Sequence, residues 1–156
     1  MFLRFIIILI FLLVPFFLLA QPEVTVTGNW VETIDVIDLQ GGAGSALNDT
    51  YESAVDQVVI DIKGKKVSDW ILYVKRIDNT WNSDFRLSVR RTDDGIGSGP
   101  LIGGSTYQEI TTTDTEFFRG GKNRRDIDAQ LKLNLLADVV DTGIYDTTVM
   151  YTVTAH

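Results

Sequence analysis

The chain has 156 residues, no cysteine and one histidine, and its 14 basic and 21 acidic side chains give a formal net charge of −7. The absence of cysteine excludes disulfides, thiol nucleophiles, thiolate metal sites and attachment as a bacterial lipoprotein. The acidic balance argues against nucleic acid as a partner, because phosphate binding requires clustered Lys and Arg. The length corresponds to one domain.

The first twenty residues have the layout of a secretory signal peptide. Arg4 precedes an apolar run that is interrupted only by Pro15 and ends at the small residue Ala20. The run falls short of the roughly 20 apolar residues that a membrane-spanning helix needs. We therefore predict a signal peptide over residues 1–20, cleaved before Gln21, and a product that is secreted, periplasmic or on the cell surface. The alternative is an uncleaved anchor, which would be the only contact with a membrane.

Strand patterns dominate the remainder of the chain. Apolar and polar side chains alternate most clearly in FRLSVRR (85–91), in DIDAQLKLNLL (126–136) and from Tyr145 to Val153, which predicts three half-buried strands. Less regular patterns predict five more, at Glu23 to Thr27, Trp30 to Leu39, Gln57 to Ile62, Trp70 to Lys75 and Tyr107 to Thr113.

Turns rich in Gly, Asn and Asp separate these segments. One short helix is a candidate at residues 49–55, DTYESAV, which begins with a residue suited to a helix N-cap. About eight strands in this pattern predict an all-β fold: one antiparallel β-sandwich over residues 30–156, immunoglobulin-like or fimbrial-type.

Two features are candidates for ligand binding. Trp81 lies in the polar turn DNTWNSD, where an exposed indole could stack on a sugar. The loop TDDGIGSGP places Asp93 and Asp94 beside glycines. That loop lacks the ladder of acids and the closing Glu of a calcium-binding EF-hand, so a hairpin is the favoured interpretation. Trp81, Asp93 and Asp94 remain candidate contacts for a carbohydrate or protein ligand.

The segment RGGKNRR, Arg119 to Arg125, concentrates four positive charges in an acidic protein. It is either a solvated hairpin tip or a surface that docks onto an acidic partner, such as a neighbouring copy. Asn48 begins a glycosylation sequon, NDT, which matters only in a host with the machinery.

No catalytic constellation emerges from the sequence. The one histidine, His156, is the last residue, which argues against a Ser-His-Asp triad and a His-based zinc site. A glycosidase needs two converging carboxyl groups, and the sequence singles out no such pair. We therefore predict a non-enzyme without a cofactor.

The segment DTGIY, residues 141–145, has the spacing of a tyrosine corner. In such a corner Gly143 would relieve a tight turn and Tyr145 would bond back over it. The alternation of Val149, Tyr151 and Val153 after this turn resembles the C-terminal strand of fimbrial subunits and of spore-coat-U-like secreted domains.

The resemblance implies an incomplete sandwich whose missing strand is donated by the N-terminal extension of the next subunit. Residues 21–29, QPEVTVTGN, would be that extension, with Val24, Val26 and Gly28 entering the partner's groove. The chain departs from the fimbrial pattern at Ala155, where those subunits usually have an aromatic residue, and it lacks the disulfide that many of them carry.

The leading hypothesis is therefore an exported, non-enzymatic structural or adhesive surface subunit. It would associate with itself or with related subunits by β-strand addition, in a pilus-like or coat assembly. The alternative is a monomeric secreted binding module for a carbohydrate or protein ligand, in which the N-terminal segment pairs within its own chain.

Overall fold

The computed structural model describes residues 21–41, 44–64, 69–136 and 141–156, so the predicted signal peptide lies outside the described residues. The described part is an all-β, sandwich-like fold of ten strands in two antiparallel sheets, which confirms the predicted fold class. The strands are β1 Glu23–Gly28, β2 Thr50–Glu52, β3 Val58–Lys63, β4 Asp69–Thr80, β5 Phe85–Arg91, β6 Ile96–Gly97, β7 Gln108–Glu109, β8 Thr115–Gly121, β9 Arg124–Leu135 and β10 Asp146–Ala155.

Three of the weaker sequence predictions were wrong in detail. The segment 30–39 contains a 3₁₀ turn, Val36–Asp38, instead of a strand. The turn forms because Asp35 and Asp38 make a capping box. In it, the carboxylate of each residue accepts a hydrogen bond from the backbone of the other. The proposed helix at 49–55 is the strand β2, paired with β9, and the strand expected at 107–113 shrinks to the two residues of β7.

The larger sheet is built around β9, whose twelve residues pair on both sides. One side of β9 is lined by β2 and β3, and the other by β5 and β6. β1 then pairs with β3 at one edge of the sheet, and β7 pairs with β5 at the other.

The smaller sheet has three strands in the order β10, β4, β8. The central strand β4 places Leu72 opposite Phe118 of β8 and Val153 of β10. Both sheets turn alternate apolar side chains inward, and the main core joins them: Val58, Ile60, Ile62, Trp70, Leu72, Val74, Leu87, Val89, Ile110, Phe117, Phe118, Ile127, Ala129 and Leu131. A smaller apolar cluster of Tyr51, Phe85 and Leu135 covers the end at which β10 begins.

Candidate assembly site

β10 is a ten-residue strand at the edge of the smaller sheet. It pairs with β4 from Asp146 to Ala155, and the amide of His156 extends the ladder to the Asp69 carbonyl at 3.1 Å. Among the described strands, only β4 pairs with it. The opposite edge of β10 therefore presents backbone N–H and C=O groups that no other described strand uses.

The side chains of β10 alternate as the sequence predicted. Thr147, Val149, Tyr151 and Val153 are half-buried on the inner face, while the residues between them are exposed. From Thr147 to Ala155 the strand carries no charge, glycine or proline. Natural edge strands are usually protected by charges, prolines, bulges or a covering loop. Between Thr147 and Ala155, β10 therefore has no charge, proline or bulge of its own to discourage pairing with another strand.

The segment predicted to donate a strand is paired within its own chain. β1 forms an antiparallel ladder with β3, from Glu23 opposite Lys63 to Gly28 opposite Val58. Val24 and Val26 point inward and are half-buried against the main core. The structure thus shows this segment as the edge strand of the larger sheet, in the arrangement expected of the monomeric alternative.

Gly28 is required where β1 ends. Its φ of +144° lies in a region that L residues rarely adopt, and a Cβ there would lie 2.4 Å from the Gln57 carbonyl oxygen. The role of this glycine is the close approach of β1 to the start of β3, a structural need that the sequence alone did not distinguish from a role in assembly.

β1 and β10 are neighbouring edges of the two sheets. Their Cα atoms approach within 8 Å, but no ladder joins them. The inner side chains of both strands are partly buried on the same core: Val24, Val26, Val149, Tyr151 and Val153. Five of the eight residues predicted for assembly thus lie on these two adjacent edge strands, with their side chains packed on one core.

The turn before β10 contains the predicted tyrosine corner. The Tyr145 hydroxyl donates to the Asp141 carbonyl at 2.7 Å, and its ring packs edge-on against Phe85 with centroids 4.9 Å apart. The expectation for Gly143 was wrong. Its φ is not in the left-handed region, and a Cβ there would make ordinary contact with Tyr145 at 3.6 Å, so the turn does not need glycine.

Tyr151 lies at the middle of β10 and reaches into the core. Its ring packs against Phe117 at 6.4 Å, and its hydroxyl is buried without a hydrogen-bond partner in the described parts of the chain. Burial raises the pKa of the Tyr151 hydroxyl well above its usual value, so the group stays neutral. An unpartnered buried hydroxyl destabilises the fold, a feature that the alternation of the sequence did not predict.

Trp81, the suspected sugar platform, is half-buried and packs against neighbouring side chains. Its ring lies edge-on to Phe85 at 5.5 Å, and the Arg76 guanidinium lies 4.9 Å from the ring centroid. The indole contacts both apolar clusters. A sugar would have to displace Arg76 to stack on that side of the ring.

The two aspartates of the candidate ligand loop also have internal partners. The Asp93 carboxylate accepts the Gly95 amide, and Asp94 forms an ion pair with Arg91. The buried Arg124 donates to the carbonyls of Asp94, at 3.1 Å, and of Gly99. These contacts hold the loop in place without a ligand.

Trp81 and the two aspartates do not form one site. Trp81 precedes β5, whereas Asp93 and Asp94 follow its end. A strand of seven residues spans roughly 20 Å, which separates the two candidates by more than the length of a sugar ring.

Two cations of the basic segment, which the sequence left as either a solvated hairpin tip or a docking surface, are bound within the chain. Arg119 binds both carboxylate oxygens of Glu116, at 2.8 and 2.9 Å. Arg124 is 5% exposed and holds the loop described above. Only Lys122 and Arg125 of the four cations are exposed without an ion pair to another described residue.

Within the four described ranges, no three His, Cys, Asp or Glu side chains are grouped as they would be to hold a metal ion. No helix in those ranges is long and apolar enough to cross a membrane. No family model matches the chain, and searches of curated proteins and of solved structures found no similar protein.

Proposed function

We propose that this chain is an exported, non-enzymatic structural or adhesive subunit that associates by β-strand addition along β10. The observation that carries the proposal is the open ten-residue edge of β10, which is free of charge from Thr147 to Ala155 and lies beside a half-buried apolar face.

Strand addition would pair the open backbone groups of β10 and cover its half-buried apolar side chains. An incoming strand would pair with the backbone groups that β10 leaves open, and these hydrogen bonds would supply register and affinity. Its alternate side chains would cover Val149, Tyr151 and Val153, which are only half-buried now. Removing this apolar area from water is favourable, and the affinity is what remains after the entropic cost of association.

The most direct test is the native mass of the chain beginning at Gln21. The proposal predicts species larger than the monomer that survive SDS at room temperature and collapse to the monomer on boiling. A single monomeric species over a wide range of protein concentration would contradict it.

A second experiment asks whether Gln21–Gly28 is the donated strand. Donation requires β1 to leave β3, which would give up six residue pairs and the burial of Val24 and Val26. Because the chain has no cysteine, Thr27→Cys with Val59→Cys would introduce one disulfide between residues that face each other in the β1–β3 ladder. If β1 is donated, oxidation before assembly abolishes the oligomers and reduction restores them. If another strand is added, oxidation leaves them unchanged.

The monomeric binding module is the second candidate, and the pairing of β1 with β3 favours it. In that case the chain is monomeric and binds a glycan or protein. Glycan binding that is lost in Trp81→Ala and kept in Trp30→Ala would support this function.

A further inference from the structure

The sequence of β10 is nearly the same when read in either direction. From Thr148 to Thr154 it is TVMYTVT, with Tyr151 at the centre. Thr148 matches Thr154, Val149 matches Val153, and only the pair Met150 and Thr152 differs. Such near-palindromic symmetry in an edge strand that the described strands pair on one side only points to pairing with an identical strand.

We infer that the strand added along β10 is β10 of a second copy, antiparallel and related by a twofold axis at Tyr151. This inference rests on the proposed function, since it names the partner of the same edge. The two smaller sheets would join into one continuous sheet of six strands, and β1 would stay on β3 in both copies.

The twofold register matches side chains by face as well as by type. Val149 of one copy lies opposite Val153 of the other, and both belong to the inner face. Thr148 lies opposite Thr154, and Met150 opposite Thr152, on the exposed face. Like pairs of β-branched residues suit cross-strand positions. An axis at Met150 or Thr152 keeps the faces but loses the Val–Val pairs.

The same register uses the full length of the strand. Residue pairs run from Asp146 opposite His156 at one end to His156 opposite Asp146 at the other. The Asp146 carboxylate accepts a bond from Asn79 at 2.8 Å and has no ion pair in the described ranges. The antiparallel arrangement thus places an acid beside an imidazole at both ends of the interface.

Charge also favours the antiparallel arrangement over a parallel one. The end of the sandwich where β10 begins carries exposed carboxylates, including Asp84, Asp141 and Asp146. A parallel pair would place these two acidic ends side by side, and like charges across an interface oppose binding. In the antiparallel pair the two acidic ends are far apart, and each lies beside the other copy's opposite end, where exposed Lys122 and Asp69 offset each other's charge.

An interface with a twofold axis is closed, because each copy uses the same surface. The inferred product is therefore a dimer, and not an open ladder of subunits. A heat-sensitive ladder would overturn the twofold inference while leaving strand addition in place.

Cysteine pairing tests the register directly, since the chain has no cysteine of its own. Met150→Cys and Thr152→Cys are made in separate chains, one with a larger tag, and co-expressed. In the inferred register the two thiols face each other, whereas like thiols are diagonal neighbours whose Cα atoms lie beyond the roughly 7 Å that a disulfide allows. We expect the mixed disulfide to exceed either homodimer at least tenfold. The matched control, Thr148→Cys with Thr152→Cys, should give little mixed product.

Equal yields from all combinations, or no mixed disulfide in a protein that still forms heat-sensitive oligomers, would overturn the inference and mean that another strand adds to β10. A strictly monomeric protein would overturn the inference together with the proposed function.

Discussion

The two edge strands of the smaller sheet, β8 and β10, differ in whether backbone groups on their outer side have hydrogen-bond partners. At the β8 edge, Ile102 exchanges two backbone hydrogen bonds with Arg119, at 2.9 and 3.0 Å, and Gln108 donates to the Glu116 carbonyl. That edge also carries the Glu116–Arg119 ion pair. At the β10 edge, β1 approaches within 8 Å between Cα atoms but forms no ladder, and the strand is uncharged from Thr147 to Ala155.

The β8 edge is protected by a loop that pairs with it, whereas the β10 edge has no such pairing among the described residues. A loop after β6 supplies Ile102 as an extra partner and so satisfies part of the β8 backbone. Since β8 and β10 flank the same central strand, chain topology alone did not force one edge to be left open. A regular edge with unpaired backbone groups, beside half-buried apolar side chains, is the kind of edge to which another strand can add.

Leu72→Ala should have the largest effect, because it removes a core side chain that packs between the two edge strands, β8 and β10. Leu72 is fully buried and lies between Phe118 of β8 and Val153 of β10. We expect the free energy of unfolding to fall by about 2–5 kcal/mol, from lost burial and the cavity left behind. Urea denaturation measures it, and an exposed change such as Thr25→Ala serves as the control. A loss below 1 kcal/mol would mean that the two strands do not pack through Leu72.

Ile102→Pro should weaken the protected edge alone. Proline has no amide hydrogen, so the bond from Ile102 to the Arg119 carbonyl is lost, at a cost of roughly 1–2 kcal/mol. Hydrogen exchange at the Arg119 amide should become faster, while exchange in β10 stays the same. Ile102→Val keeps the amide and should leave both unchanged. Equal acceleration in β8 and β10 would show that the loop does not act on one edge.

Tyr145→Phe should weaken the start of β10. The change keeps the ring against Phe85 but removes the bond to the Asp141 carbonyl, which is worth about 1 kcal/mol. Thermal or urea unfolding measures the loss. Tyr151→Phe is the matched control, because that hydroxyl has no partner among the described residues. Its removal should leave stability unchanged or raise it, and a loss as large as that of Tyr145→Phe would contradict the assignment.

The sequence predicted the fold class and the strands whose alternation is strict. β5, β9 and β10 alternate because each turns apolar side chains to the core and polar side chains to the other face, and all three were found near their expected positions. On β5 and β9 the polar Ser88 and Gln130 are themselves buried. The tyrosine corner was also predictable, since it is a local contact four residues apart. Local patterns of this kind are visible in a single sequence.

The partners of the polar and charged residues were not predictable. Arg124 and Asp94 are thirty positions apart, and their contact depends on β6 pairing with the start of β9. The cover of β8 by Ile102 is likewise a tertiary contact. The sequence identified Trp81 as a polar-turn residue, but only the fold brings Arg76 onto its ring.

The open edge of β10 is the proposed site of association, and the two edges of the smaller sheet supply a matched pair of variants. Thr152 and Thr115 are both exposed threonines, on β10 and β8. Lysine at an exposed edge position opposes pairing with another strand and changes monomer stability by less than about 0.5 kcal/mol. Sedimentation velocity of the chain from Gln21 should show Thr152→Lys as a monomer and Thr115→Lys associated like the unmodified chain. Association retained in Thr152→Lys, whatever Thr115→Lys does, would contradict β10 as the site of association.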